Sequence, residues 1–144
     1  MARQINQAGL DLLKSSEGCS LTAYKDGGGV WTIGYGTTGS EVSPGLKITQ
    51  KQADDFLKAD LSVFCEAIDD LVHVPLTDNQ FSALVVFVYN VGINAFSKST
   101  LRALLNNGGY EDAANQLVRW SKDNGKTIPG LLARREREKA LFKT

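Results

Sequence analysis

The sequence predicts an α+β protein, mainly helical, with a small β-hairpin lobe beside a larger helical lobe. Two runs rich in β-formers, residues 21–25 and 30–35, flank Asp26-Gly27-Gly28-Gly29, a strong hairpin signal. Thr49-Gln50-Lys51-Gln52 and Thr77-Asp78-Asn79-Gln80 both match the capping box, in which a Thr hydroxyl and a Gln side chain satisfy free amides at a helix start. The stretch 81–91 is apolar around most of a helical circumference, so in a water-soluble chain other helices must surround it.

Taken in order, Leu10, Leu12 and Leu13 lie in a short helical segment that stops at Gly18, which places Glu17 in its last turn. The hairpin follows, and Gly36-Thr37-Thr38-Gly39 marks another turn. A long helix over about 50–71 carries Ala53, Phe56, Leu57, Leu61, Phe64, Ala67, Ile68 and Leu71 at three-and-four spacing and ends before Pro75. The apolar helix over about 78–91 is expected at the centre of the larger lobe. Further helical segments near 99–106, 110–120 and 131–142 are broken by Asn107-Gly108-Gly109 and by the stretch from Asn124-Gly125 to Pro129-Gly130. Neither an internal repeat nor a linker interrupts this order, so one continuous fold is expected.

At 144 residues, 42% hydrophobic and 22% charged, the chain can bury a core without a metal or disulfide scaffold. Sixteen basic residues balance sixteen acidic ones, so nothing in the overall field favours nucleic-acid binding. Residues 115–144 hold eight basic and three acidic side chains. The plainer reading is a terminal helix wearing Arg and Glu on its wet face; the sharper one is a basic end that meets an anionic surface. Cys19 and Cys65 lack the paired spacing of thiolate metal sites, and buried free thiols are the default. The N-terminal residues lack the apolar core of a signal peptide, and 81–91 is too short to cross a bilayer, so neither export nor stable membrane insertion is expected.

His73, the only histidine, lies just past a helix end, where a dipole or packing role is expected, and leaves little from which to build a triad or zinc site. Gly34-Tyr35-Gly36-Thr37-Thr38-Gly39 matches a dinucleotide fingerprint, but Ser40-Glu41-Val42-Ser43-Pro44-Gly45 cannot open the helix that would hold a pyrophosphate. What remains is Glu17 at a helix end, Asp26 at a hairpin turn and Thr32 on the returning strand. Two carboxylates suit glycoside hydrolysis: one, kept neutral, protonates the leaving oxygen, and the other, ionised, acts on water or on the sugar carbon. Glu17 borders the hydrophobic face of its helix, where desolvation favours the acid form, while Asp26 in an open glycine turn stays charged. If Gly28-Gly29-Val30 is the loop, Asp26 faces Thr32 across the strands; a tighter Gly28-Gly29 turn puts them on opposite faces.

These residues resemble the phage-type lysozyme family. The span from Glu17 through Tyr24-Lys25-Asp26 to Thr32-Ile33-Gly34-Tyr35-Gly36 looks like its signature, and the likeness continues in Asn79-Gln80-Phe81-Ser82-Ala83-Leu84, in residues 87–92 with Tyr89-Asn90, and from Gly130-Leu131 through Arg134-Arg135 to Glu138 and Leu141-Phe142. The resemblance implies a single lysozyme-like domain over 1–144, with a β-containing lobe at about 18–48, a helical part over 1–17 and 49–144, and a cleft between them. It implies a muramidase acting on bacterial peptidoglycan, with Glu17 as general acid, Asp26 and Thr32 handling the attacking water, and inversion at the sugar. Arg134 resembles the family arginine that approaches the catalytic Glu; such a cation favours ionised Glu17, so burial must counter it. A monomer without metal or cofactor is implied, made in the host cytoplasm and released to the wall by a holin. Rival readings are a lytic transglycosylase, which needs no positioned water, and an inactive wall-binding module.

Overall fold

The computed structural model describes residues 3–144; Met1 and Ala2, where the N-terminal reading begins, lie outside the described residues. Helix α1 (Gln7–Glu17) starts where the Asn6 side chain accepts from the Gly9 amide at 2.9 Å. It ends at Gly18, whose φ of 70° disfavours a side chain. Strands β1 (Ser20–Lys25) and β2 (Trp31–Gly34) pair antiparallel. Residues 42–48 fold back over them, with Ala23 donating to Leu46 and Ile48 to Leu21 through the main chain, both at 2.9 Å. This part has its own small core of Ala23, Ile33 and Val42, closed by Trp31, Leu46 and Phe56.

Helices α2 (Gln50–Leu71) and α3 (Asp78–Val91) begin at the predicted capping boxes, with the reciprocal Thr and Gln bonds present at both. Every residue from 81 to 88 is buried, so α3 forms the axis of the helical part, packed against α1, α2 and the C-terminal helix. Gly92, at φ 96°, turns the chain into α4 (Ile93–Ser97), a short helix the sequence reading left unassigned; it is drawn inward by fully buried Phe96. Helices α5 (Thr100–Asn106) and α6 (Tyr110–Leu117) follow, the latter ending three residues before the predicted limit.

Asn124-Gly125, read above only as a break, closes a hairpin of β3 (Lys122–Asp123) and β4 (Lys126–Thr127), both turn residues having positive φ as a type I′ turn requires. Helix α7 (Pro129–Phe142) starts two residues earlier than predicted, because Pro at its first position lacks only an amide that would be unpaired there anyway. Asn79 gathers both ends of the fold: its side chain accepts from the Asn6 amide group at 2.8 Å and donates to the Thr144 hydroxyl at 2.7 Å.

The expected wet face of charged residues on α7 is corrected by the structure. Glu136 and Arg137 are exposed, but Arg134, Arg135 and Glu138 are buried. Arg135 donates to Glu138 at 2.7 Å and to Asn90 of α3, and its guanidinium lies 5.0 Å from the Phe87 ring centroid. Mutual pairing makes this burial tolerable. Burial pushes the Glu138 carboxyl up to about 7, against the opposing pull of Arg135 and Arg134. Burial also pulls Arg135 below its ordinary value, with Glu138 opposing. The thiols divide: Cys65 is buried and Cys19, contrary to the default expectation, is exposed, and both are free.

Two predictions follow from this packing. A Cβ on Gly9 would lie 2.7 Å from the Ser82 Cβ and 2.8 Å from Ile5. Gly9→Ala therefore destabilises by about 1 to 3 kcal/mol despite the better helix propensity of alanine, measurable by urea unfolding. A carboxyl raised from 4.5 to about 7 leaves the folded protein holding an extra proton between those values, so its contribution to stability is greatest in acid and declines as pH rises through that window. Wild type should lose on the order of 3 kcal/mol relative to Glu138→Gln across it, read from paired unfolding curves at each pH.

Candidate active site

Glu17 occupies the last position of α1, and its side chain is 19% exposed. Helix α7 brings Arg134 to it, and a guanidinium N–H donates to the Glu17 carboxylate. The Arg134 side chain is itself only 11% exposed, so solvent screens this pair weakly. Direct contact between these two residues was anticipated from Arg134 alone among three nearby arginines.

The hairpin presents Asp26 and Thr32. Its register pairs Tyr24 with Thr32 and Lys25 with Trp31, while the Asp26 amide donates to the Val30 carbonyl at 2.9 Å. The loop is therefore Gly27-Gly28-Gly29, neither of the two closures considered from sequence. Asp26 does not directly face Thr32; the register makes them diagonal neighbours on one face. The cause is local: one Asp26 carboxylate oxygen accepts from the amides of Gly28 and Val30, both at 2.9 Å, which draws the loop closed one residue early. Gly29, at φ 80°, supplies the left-handed position that such a three-residue loop needs.

Each group is left with one free function. With one Asp26 oxygen held by two amides, the other is available to accept a proton. Thr32, 4% exposed, donates its hydroxyl proton back to the Val30 carbonyl at 2.9 Å, leaving its oxygen lone pairs to accept from a water. Asp26 itself is exposed. The site thus offers an anchored carboxylate on the same face as an accepting hydroxyl, and a half-buried carboxyl held by an arginine.

Three further features escaped the sequence reading. Tyr89 of α3 donates its hydroxyl to the Tyr35 carbonyl at 2.8 Å, and a Cβ at Gly36 would meet that hydroxyl oxygen at 3.3 Å. Burial, reinforced by the negative charges of Asp60 and Glu17 and opposed by Arg134, pushes the Tyr89 phenol well above its ordinary value, so it remains a neutral donor. Thr37 donates to Asp60 at 2.7 Å, tying the turn after the hairpin to α2. Beside Arg134 stands the Arg135 and Glu138 pair; positions 134, 135 and 138 share one helical face, a spacing that a solvated face shows equally.

His73 is exposed at the end of α2, its ring bonded to the Asp70 carbonyl at 3.0 Å, and takes no part in this arrangement. A hollow of about 530 Å³, lined by Leu10, Lys14, Leu57, Leu61 and Cys65 among others, lies between α1 and α2 without reaching Glu17, Asp26 or Thr32. Chemistry, not volume, selects the site.

Comparison with known proteins agrees in both sequence and shape. The family described as Phage lysozyme matches residues 14–138. The endolysin of Bacillus phage PZA is 48% identical over 141 residues, covering 96% of this chain and 55% of that protein, so the chain spans about half the length of this relative. The muramidase domain of SpmX from Asticaccaulis excentricus superposes with a TM-score of 0.92 at 40% identity, over 99% of both chains. A P22 lysozyme variant superposes at 0.90, also at 40% identity and over 99% of both. With most of its length matched by the family and its whole course followed by these structures, the chain belongs to the phage lysozyme family.

Proposed function

We propose that this protein is an endolysin-type muramidase that hydrolyses the β-1,4 bond between N-acetylmuramic acid and N-acetylglucosamine in bacterial peptidoglycan. The observation that carries the reading is Asp26: a carboxylate with one oxygen anchored by two amides and the other free, on the same face as the Thr32 hydroxyl, in the hairpin that directly follows Glu17. Kinship to phage endolysins and to a muramidase domain supports the substrate class.

In this mechanism the protonated Glu17 carboxyl donates to the glycosidic oxygen as its bond to the anomeric carbon breaks. A water accepted by the Thr32 oxygen attacks that carbon from the other face, and Asp26 takes the proton the water releases. Positive charge builds on the sugar in the transition state, so a nearby carboxylate stabilises it as well. Inversion is the expected course, because the role assigned to Asp26 requires room for a water. Arg134 holds the Glu17 carboxyl in place. The same reading includes one lysozyme domain acting as a monomer, made in the host cytoplasm and reaching the wall once a holin opens the inner membrane. Among the described residues no helix is long and apolar enough to cross a membrane.

Purified peptidoglycan digested by wild type should release muropeptides with hydrated reducing ends, resolved by mass spectrometry. Glu17→Gln, nearly isosteric but unable to act as the acid, should reduce turnover about a thousandfold while sedimentation with cell walls persists. Anhydro ends would assign the protein to the lytic transglycosylases; absence of products from wild type would leave wall binding alone. Asp26→Asn retains an oxygen for the Gly28 and Val30 amides, so it should lower turnover about a hundredfold with an unchanged melting temperature.

A further inference from the structure

The Glu138 carboxylate stands behind the ion pair of the site, and the two carboxylates, Glu17 and Glu138, share one cation. Arg134 reaches Glu17 with a terminal guanidinium nitrogen, while its Nε lies 3.7 Å from Glu138 Oε2, close enough for charge but outside hydrogen-bond distance. Among the described residues, Arg134 Nε and Glu138 Oε2 are both buried without a hydrogen-bond partner. The other half of the cluster is engaged elsewhere in part: Glu138 Oε1 accepts from Arg135, and Arg135 is held by Asn90 and by the face of Phe87, though its Nε is likewise buried without a hydrogen-bond partner. A fully buried carboxylate with one oxygen directed at Arg134 has no role in the chemistry described above, and packing alone would be better served by an apolar side chain.

We propose that Glu138 is a positioning residue that divides the charge of Arg134 with Glu17, loosening the grip of the guanidinium so that Glu17 can hold the proton it donates. The inference rests on the reading of Glu17 as general acid. The physical argument is electrostatic competition. A lone cation beside Glu17 favours its ionised form, which cannot protonate a leaving group; a second anion beside the same cation offsets the effect. The charged and polar groups facing Glu138 are Arg134 and Arg135, with Arg137 further off on the same helix, Glu17 of α1 through Arg134, and Asn90 of α3 through Arg135.

Glu138 changes charge in the neutral range because burial raises it to about 7. As pH rises through that range Glu138 becomes an anion and draws on Arg134. The pair therefore extends activity toward alkaline pH.

The decisive experiment is the pH profile of kcat/KM on soluble glycan strands for Glu138→Gln, which keeps shape and removes the charge. Its alkaline limb should move to lower pH by about half a unit or more, with KM unchanged. In an Arg134→Gln background the same substitution should leave the limb where it is. A folded Glu138→Gln with the wild-type limb, or an equal displacement without Arg134, overturns the proposal. Should Glu138→Gln fail to fold, wild type labelled with ¹³C at glutamate carboxyls decides. The Glu17 resonance should show a second inflection at the titration midpoint of Glu138, and its absence overturns the coupling. Full lysis by Glu17→Gln would instead remove the general-acid reading, an outcome distinct from either of these.

Discussion

The ion pair between Glu17 and Arg134 joins side chains 117 residues apart, and the fold on both sides of it is arranged to hold them together. Helix α1 contributes one partner from its last turn, α7 the other from its buried face, and α3 packs against both. The apolar circumference of α3 is therefore a functional requirement as well as a packing one. It offers a wall on which two otherwise unrelated helices meet at a set distance. An exposed pair of this kind would contribute little, since water and salt would screen it and side-chain entropy would oppose it. Burial makes the geometry definite and also obliges the protein to balance the charge, which the second arginine and second glutamate of α7 do.

The Asp26 and Thr32 side of the site has a different origin. Asp26 and Thr32 need no long-range partner to be oriented, because each is fixed by the main chain of its own hairpin. One half of the site is thus local and the other half global. A site assembled this way gives Glu17 and Asp26 unlike surroundings, one enclosed by helices and one open on a glycine loop. Two carboxyl groups divide acid and base roles only when their surroundings differ.

The legibility of the sequence follows the same division. Thr49 with Gln52 and Thr77 with Gln80 announced their helices because a cap is a local bargain between neighbouring residues. Glu17, Asp26 and Thr32 could be named as candidates because their chemistry is short-range and their spacing restrictive. The hairpin closure was missed by a residue, since composition marks a glycine turn without revealing that Asp26 would capture two amides. Arg134, Arg135 and Glu138 were harder still. Arginine and glutamate at three-and-four spacing look identical on a solvated face and on a buried one, and only their neighbours on α3 distinguish the two. Helix α4 was invisible because five residues hold too little periodicity to register.

Asn79 binds both Asn6 and Thr144, so the first and last turns of the described fold meet on a single amide. That meeting gives synthesis an order. A nascent chain emerging from the ribosome completes α1, β1, β2, α2 and α3 long before α7 exists, and for that interval Glu17 stands without its arginine and α3 without its cover. The Glu17 end of the site is thereby the last part to assemble, and a chain arrested before residue 134 is an incomplete core with an unpaired carboxylate.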